Sequence, residues 1–173
     1  MRMVQAQTAA ELDAVRELFD EYQRGLGVDL GFQGFAEELA TLPGRYAPPG
    51  GRLLLALDGT HAAGCVALRA LEEDVCEMKR LFVRPAYRGH GLGYQLATQI
   101  VNEATALGYS LMRLDTLDTL DSAMRMYATM GFQRRMPYYA NPLSGVVYWE
   151  LALQRRQDDP AMVQSPDVPT ALR

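Results

Sequence analysis

One stretch limits what this chain can fold into more than any other. Cys76-Glu77-Met78-Lys79-Arg80-Leu81-Phe82-Val83 is an apolar, strand-like run. It passes through Arg84-Pro85-Ala86-Tyr87 into Arg88-Gly89-His90-Gly91-Leu92-Gly93, and that turn opens a helical pattern of Leu92, Leu96, Ile100, Val101, Ala104 and Leu107. Strand, glycine turn and helix, in that order, make an anion cradle. The first N–H groups of a helix have no intrahelical acceptor, and the helix dipole adds partial positive charge there. Glycines remove the Cβ atoms that would hold a phosphate away from the backbone. Two commoner phosphate turns are excluded. Gly-x-Gly-x-Gly is not the dinucleotide spacing, and no Gly-Lys-Ser/Thr follows as a P-loop requires.

The remaining elements fall in place around this stretch. Met3–Gln7 reads as a strand. Thr8-Ala9-Ala10-Glu11 is a capping box, and the helix behind it shows one apolar face, Leu12, Val15, Leu18, Phe19, Tyr22 and Leu26, ended by Gly25 and Gly27. A second helix is expected from Gly34 to Leu42, then a rigid loop from Gly44 to Gly51. Arg52–Asp58 and His61–Leu71 are strands joined at Asp58-Gly59, with Gly64 a thin spot. After the long helix, which Gly108 stops, Ser110–Thr116 is a strand. A helix capped by Thr119 or Asp121 carries Met124, Tyr127 and Met130. Strands at Phe132–Met136 and Val146–Leu153 close the pattern. About seven strands and four helices, with hairpins at both ends, imply an α/β fold: a mixed, mostly antiparallel sheet with helices on both faces.

Bulk properties narrow the function. At 173 residues one domain is expected, over 2–153, with a polar, proline-containing tail from Gln154 to Arg173 expected to be disordered. The net charge of -4 argues against nucleic acid as a partner. Cys65 and Cys76 lie in apolar runs and form neither a disulfide framework nor a ligand set, so no metal is expected. No apolar run is long enough for a signal peptide or a membrane span, and a cytoplasmic protein is expected.

The combination of motifs is more specific than the turn alone. Arg88-x-x-Gly91-x-Gly93 after a strand carrying Glu77, with Ala123-x-x-Met126-Tyr127-x-x-x-Gly131-Phe132 downstream, resembles the acyl-CoA motif of the Gcn5-related N-acetyltransferase (GNAT) superfamily. The resemblance covers about residues 2–153. It implies that strands splay beyond the glycine turn and that acetyl-CoA lies in the gap. The backbone of Arg88, Gly89, His90, Gly91, Leu92 and Gly93 would hold its pyrophosphate, and the strand at Leu81, Phe82 and Val83 its pantetheine arm. Tyr127 matches the family tyrosine that protonates the leaving thiolate; its place on an apolar stripe also suits core packing. Many members carry Asn where this chain has Leu120, so any cofactor contact by that Asn is absent or replaced.

Glu77 occupies the strand position where several members place a general base. An ammonium must lose a proton before it can attack a thioester, and a carboxylate can take it. The other readings of Glu77 are an ion pair with Lys79, two residues on along the same face, or with Arg80, or a side chain facing solvent. Acceptor contacts are expected from Asp29, Phe32, Gln33, Tyr46, Tyr138, Tyr139 and Asn141, for which packing and turn formation are the alternatives. A negative, aromatic-walled pocket would suit a small primary amine. Direct acetyl transfer to such an amine is the leading expectation. A protein amine as acceptor and a non-catalytic acyl-CoA sensor are the rivals, and exposed strand edges leave a homodimer open.

Overall fold

The computed structural model describes residues 1–154. All of the expected tail beyond Gln154 lies outside them. The chain runs β1 (Arg2–Gln5), α1 (Ala9–Leu26), α2 (Phe35–Thr41), β2 (Arg52–Asp58), β3 (His61–Glu72), β4 (Val75–Val83), α3 (Leu92–Ala106), β5 (Leu111–Leu117), α4 (Asp121–Thr129), β6 (Gln133–Arg135) and β7 (Val146–Ala152). Seven strands form one sheet in the order β1-β2-β3-β4-β5-β7-β6. All neighbours are antiparallel except β4 and β5, which α3 connects as a crossover. Among the described residues no helix is long and apolar enough to cross a membrane.

The local signals explain the elements. Thr8 and Glu11 form both bonds of the capping box, and Gly27 ends α1 in the left-handed region at φ 66°. The β2–β3 hairpin turns at Gly59, as its sequence predicts. Two details differ from expectation. Leu120, not Thr119 or Asp121, takes the N-cap position of α4; the turn bonding Leu120 N–H to the Leu117 carbonyl (3.0 Å) launches that helix without a side-chain cap. β6 is also shorter than expected, because Phe132 turns into the core before pairing begins.

Each sheet face has its own core. Helices α3 and α4 cover one with Leu96, Ile100 and Tyr127 against Val66, Cys76, Met78 and Leu114. Helices α1 and α2 cover the other with Val15, Leu18, Phe19 and Phe35 against Leu53, Leu55, Cys65 and Phe82. Side chains alternate along a strand, so a central strand feeds both.

The alternation breaks in β4 where that strand borders β5. Cys65 of β3 pairs with Phe82 and Ala67 with Lys79, leaving Arg80 and Leu81 opposite Val66 alone. This β-bulge sharpens the local twist. It sets Arg80 at φ 57°, the one non-glycine residue with positive φ among those described. Pairing of β4 with β5 has ended just before, at Glu77 opposite Arg113. From Met78 onward the two strands diverge and leave a gap through the sheet.

Gly64 sits across from the bulge, paired with Val83, where a Cβ would lie 2.6 Å from the Phe82 carbonyl oxygen. We expect Gly64→Ala to force β3 and β4 apart and to lower the unfolding free energy by about 1–3 kcal/mol. A urea midpoint matching that of the parent would show that this close approach is unimportant.

Candidate active site

The gap between β4 and β5 opens into a cleft. Its walls include Met78, Lys79, Arg80 and Leu81 of β4, Leu114–Leu117 of β5, Leu120, Ala123 and Tyr127 of α4, Tyr22 and Gln33 from the α1–α2 side, and Asn141. Strand alternation divides the lining. Leu114 packs toward α3 and α4 together with Tyr127. Asp115, one residue on, faces the opposite side of the sheet. The cleft therefore passes through the sheet and has two chemically different ends.

The α3 end carries the cradle. Gly89 and Gly91 adopt φ 80° and 78°, a conformation other residues resist. Among the described residues the N–H groups of Gly89, His90, Gly91, Leu92 and Gly93 donate to no carbonyl, and α3 has no side-chain cap. Five free N–H groups at the start of a fifteen-residue helix fit a pyrophosphate. The N–H of Arg88 is already committed to the Pro85 carbonyl (3.2 Å), so its backbone does not join them. Its guanidinium folds back on the strand, donating from Nε to the Val83 carbonyl (2.8 Å) over the Phe82 ring. Leu81 lines the cleft, whereas Phe82 is buried against α1.

Tyr127 closes this end from above. It is buried between Phe132 and Trp149, and burial pushes its phenol well above the ordinary value. Its hydroxyl has no hydrogen-bond partner among the described residues, although buried phenols ordinarily find one. A cleft-lining phenol with a proton to give and no acceptor suits donation to a departing thiolate.

The opposite end is polar. Glu77 is 1% exposed and is the hub of an ion cluster. Its Oε2 accepts from Arg69 at 2.7 Å and its Oε1 from the Tyr138 hydroxyl at 2.9 Å, with Lys79 Nζ at 3.8 Å. Glu77 does not line the cleft. The carboxylate that does is Asp115, which accepts from the Tyr139 hydroxyl (2.8 Å) and Asn141 Nδ2 (3.5 Å). Gln33 joins the two groups, accepting from Lys79 Nζ and donating to the Tyr139 hydroxyl, both at 3.3 Å. Four expected acceptor residues thus join this polar end, Tyr138 at Glu77, Gln33 at Lys79, and Tyr139 and Asn141 at Asp115. Asp115 and Lys79 were not foreseen. Asp115 stands out in the sequence only as the one acid of β5, and Lys79 only as a neighbour of Glu77 on the same face.

Three expected acceptor residues lie elsewhere. Asp29 accepts the Gly31 N–H at 2.8 Å, a turn on the surface beyond α1. Phe32 is exposed. Tyr46 is buried edge-on against Phe19 and donates to Glu38. Each has the local role its short-range sequence context allows. Cys76 faces α3 with its thiol donating to the Leu111 carbonyl, and burial pushes it up to about 12, so it is no nucleophile. Among the described residues no three His, Cys, Asp or Glu side chains are grouped to hold a metal.

Comparison with known proteins gives a consistent picture. A family model described as Acetyltransferase (GNAT) family matches residues 12–132. An uncharacterised N-acetyltransferase of Schizosaccharomyces pombe is 46% identical over 148 residues, 84% of this chain and 90% of that one. An acetyltransferase structure from Streptococcus agalactiae superimposes with a TM-score of 0.75 at 19% identity, over 88% of this chain and 98% of that one. A GNAT family acetyltransferase from Elizabethkingia anophelis with acetyl-CoA bound gives 0.52 at 19% identity, over 60% and 77%.

The bulge itself depends on one ion pair. Arg80 Nε and Nη2 reach Glu38 Oε1 and Oε2 at 3.1 and 2.7 Å. Burial pushes Glu38 up, but the Arg80 guanidinium outweighs it and holds the carboxyl below its ordinary value. Glu38→Gln leaves a buried, unpaired cation and is expected to cost about 3–5 kcal/mol at pH 7. A depressed carboxylate contributes stability above its ordinary value of 4.5 and loses it as pH falls through the folded-state value. Urea unfolding between pH 6 and 3 should therefore show a shallower acid loss in the variant; identical slopes would contradict the pairing.

Proposed function

The chain belongs to the acetyltransferase (GNAT) family, and from that premise we propose that it moves an acetyl group from acetyl-CoA directly to a primary amine of a small molecule, within the gap between β4 and β5. The observation that carries this reading is the gap, with an unbonded phenol at one end and a carboxylate at the other.

The free N–H groups from Gly89 to Gly93 hold the pyrophosphate, and the open edge of β4 at Leu81 lies along the pantetheine arm. Bound acetyl-CoA supplies the thioester. Asp115 faces the acceptor ammonium and takes the proton that makes it a nucleophile. The nitrogen bonds to the thioester carbon as the carbon–sulfur bond breaks. Tyr127 gives its proton to the sulfur, and the second proton leaving nitrogen restores the phenol. Both reactants are held, so much of the gain comes from proximity. Glu77 serves this end indirectly: with both oxygens engaged, it fixes Tyr138 and the cluster around Lys79. That assignment revises the expected base from Glu77 to Asp115 because only the latter lines the cleft.

The 3.3 Å bond from Gln33 to Tyr139 ties the α1–α2 segment to the β6–β7 loop across the acceptor end. A tied roof favours a small acceptor over an extended peptide.

Tyr127→Phe should lower kcat about 100-fold or more in a CoA-release assay while leaving acetyl-CoA affinity, measured by calorimetry, within a few-fold of the parent. Asp115→Asn should lower kcat/KM for the amine more than Glu77→Gln does. Full activity in Tyr127→Phe would remove the acid from this account, and the reverse order of the two carboxylate variants would return the base to Glu77.

A further inference from the structure

Lys79 is a buried cation whose nearest carboxylate, Glu77 at 3.8 Å, is shared with Arg69. Its side chain is 6% exposed, yet among the described residues its ammonium makes a single hydrogen bond, to the neutral amide of Gln33 at 3.3 Å. Glu77 stands 3.8 Å away, beyond hydrogen-bond reach, and its charge is already met by Arg69 at 2.7 Å. An ammonium has three donors, and a buried charge is ordinarily paired and fully bonded. Burial lowers the pKa of Lys79, with Glu77 opposing the shift. The unused donors belong to a side chain that lines the acceptor end of the cleft.

Position decides what would meet it. Met78 faces α3, so Lys79 faces the α1–α2 side, away from Tyr127 and the phosphate cradle. An anion at Lys79 therefore belongs to the acceptor, not to the acyl donor. Across the gap on β5 stands Asp115, near enough for its charge to be felt at Lys79 although the two form no ion pair. The acceptor end thus offers one cation and one anion, separated, each with unused bonding capacity. A simple amine would satisfy the anion and leave donors of the buried ammonium unused.

We infer that the acceptor is an amino carboxylate, with its ammonium at Asp115 and its carboxylate at Lys79; this rests on the N-acetyltransferase reading above. Glu77 then positions Lys79 on the same face of β4, and Gln33 orients its ammonium.

The test uses the full chain with acetyl-CoA and matched acceptors, each an amino acid paired with the amine left when its carboxylate is removed: alanine and ethylamine, phenylalanine and phenethylamine, methionine and its amine. The parent should favour the amino acid in kcat/KM by at least about 10-fold in one or more pairs, the scale of a charge-assisted hydrogen bond. Lys79→Met should bring that ratio near one. Arg69 remains as the partner of Glu77 in this variant, and a thermal melt checks that the variant is folded. A parent that prefers amines lacking the carboxylate, or a variant that keeps the preference, overturns the inference while leaving the acetyltransferase reading intact. Absence of both CoA release and acetyl-CoA binding sinks both. If acetyl-CoA binds but no acceptor in the panel turns over, calorimetric binding of the amino acids in the presence of CoA decides. Binding lost in Lys79→Met supports the inference, and no binding to the parent overturns it.

Discussion

A bidentate ion pair between Arg80 and Glu38 holds the bend in β4 on which the reaction gap depends. A left-handed backbone at a non-glycine residue costs about 1–3 kcal/mol and persists only where its surroundings over-determine it. Here they do. The guanidinium is forked onto the carboxylate and lies against the rings of Tyr22 and Phe35, while the Arg80 carbonyl accepts from the Cys65 thiol. The side chain holds the backbone in a shape it would not choose. Helix α2 is thereby more than a cover for the sheet, since it supplies Glu38.

The consequence of that bend is a passage with a division of labour. Two-residue alternation sends Leu114 and Met78 to one side of the sheet and Asp115 and Lys79 to the other. One side meets the cradle of free N–H groups and the phenol of Tyr127. The other meets a polar chain in which Glu77 stands by charge beside Lys79, and Lys79, Gln33, Tyr139 and Asp115 are linked by hydrogen bonds. Reactants arriving from opposite faces meet in the gap. The aromatic triad of Tyr138, Tyr139 and Tyr148, with ring centroids 5.3–5.7 Å apart, gives the polar end a stiff wall.

Much of this was legible in the sequence, and the limits have physical causes. The capping box at Thr8, the hairpin at Gly59 and the thin spot at Gly64 are local, and their residues state them directly. The cradle is local too, because Gly89 and Gly91 need the positive φ that only glycine adopts freely. The acceptor end is not local. Asp115 reaches the cleft only because β4 and β5 stop pairing, and Lys79 keeps unused donors because Arg69 on β3 holds Glu77 more closely. Single-residue reasoning gave Glu77 the base's role from its position along the strand. Asp29 and Tyr46 had the right chemistry for an acceptor site, but a turn and a core claimed them. Gln33 on one loop, and Tyr138, Tyr139 and Asn141 on another unusually aromatic one, are recognisable as acceptor candidates, though not as one network.

The central claim is that reaction takes place where β4 and β5 part. The most direct measurement is a crystal structure of the chain with CoA. The account predicts the pyrophosphate on the N–H groups of Gly89 to Gly93, the pantetheine arm beside Leu81, and the sulfur within hydrogen-bond reach of the Tyr127 hydroxyl. A thiol lying outside the gap, with Tyr127 still packed and unapproached, would contradict it.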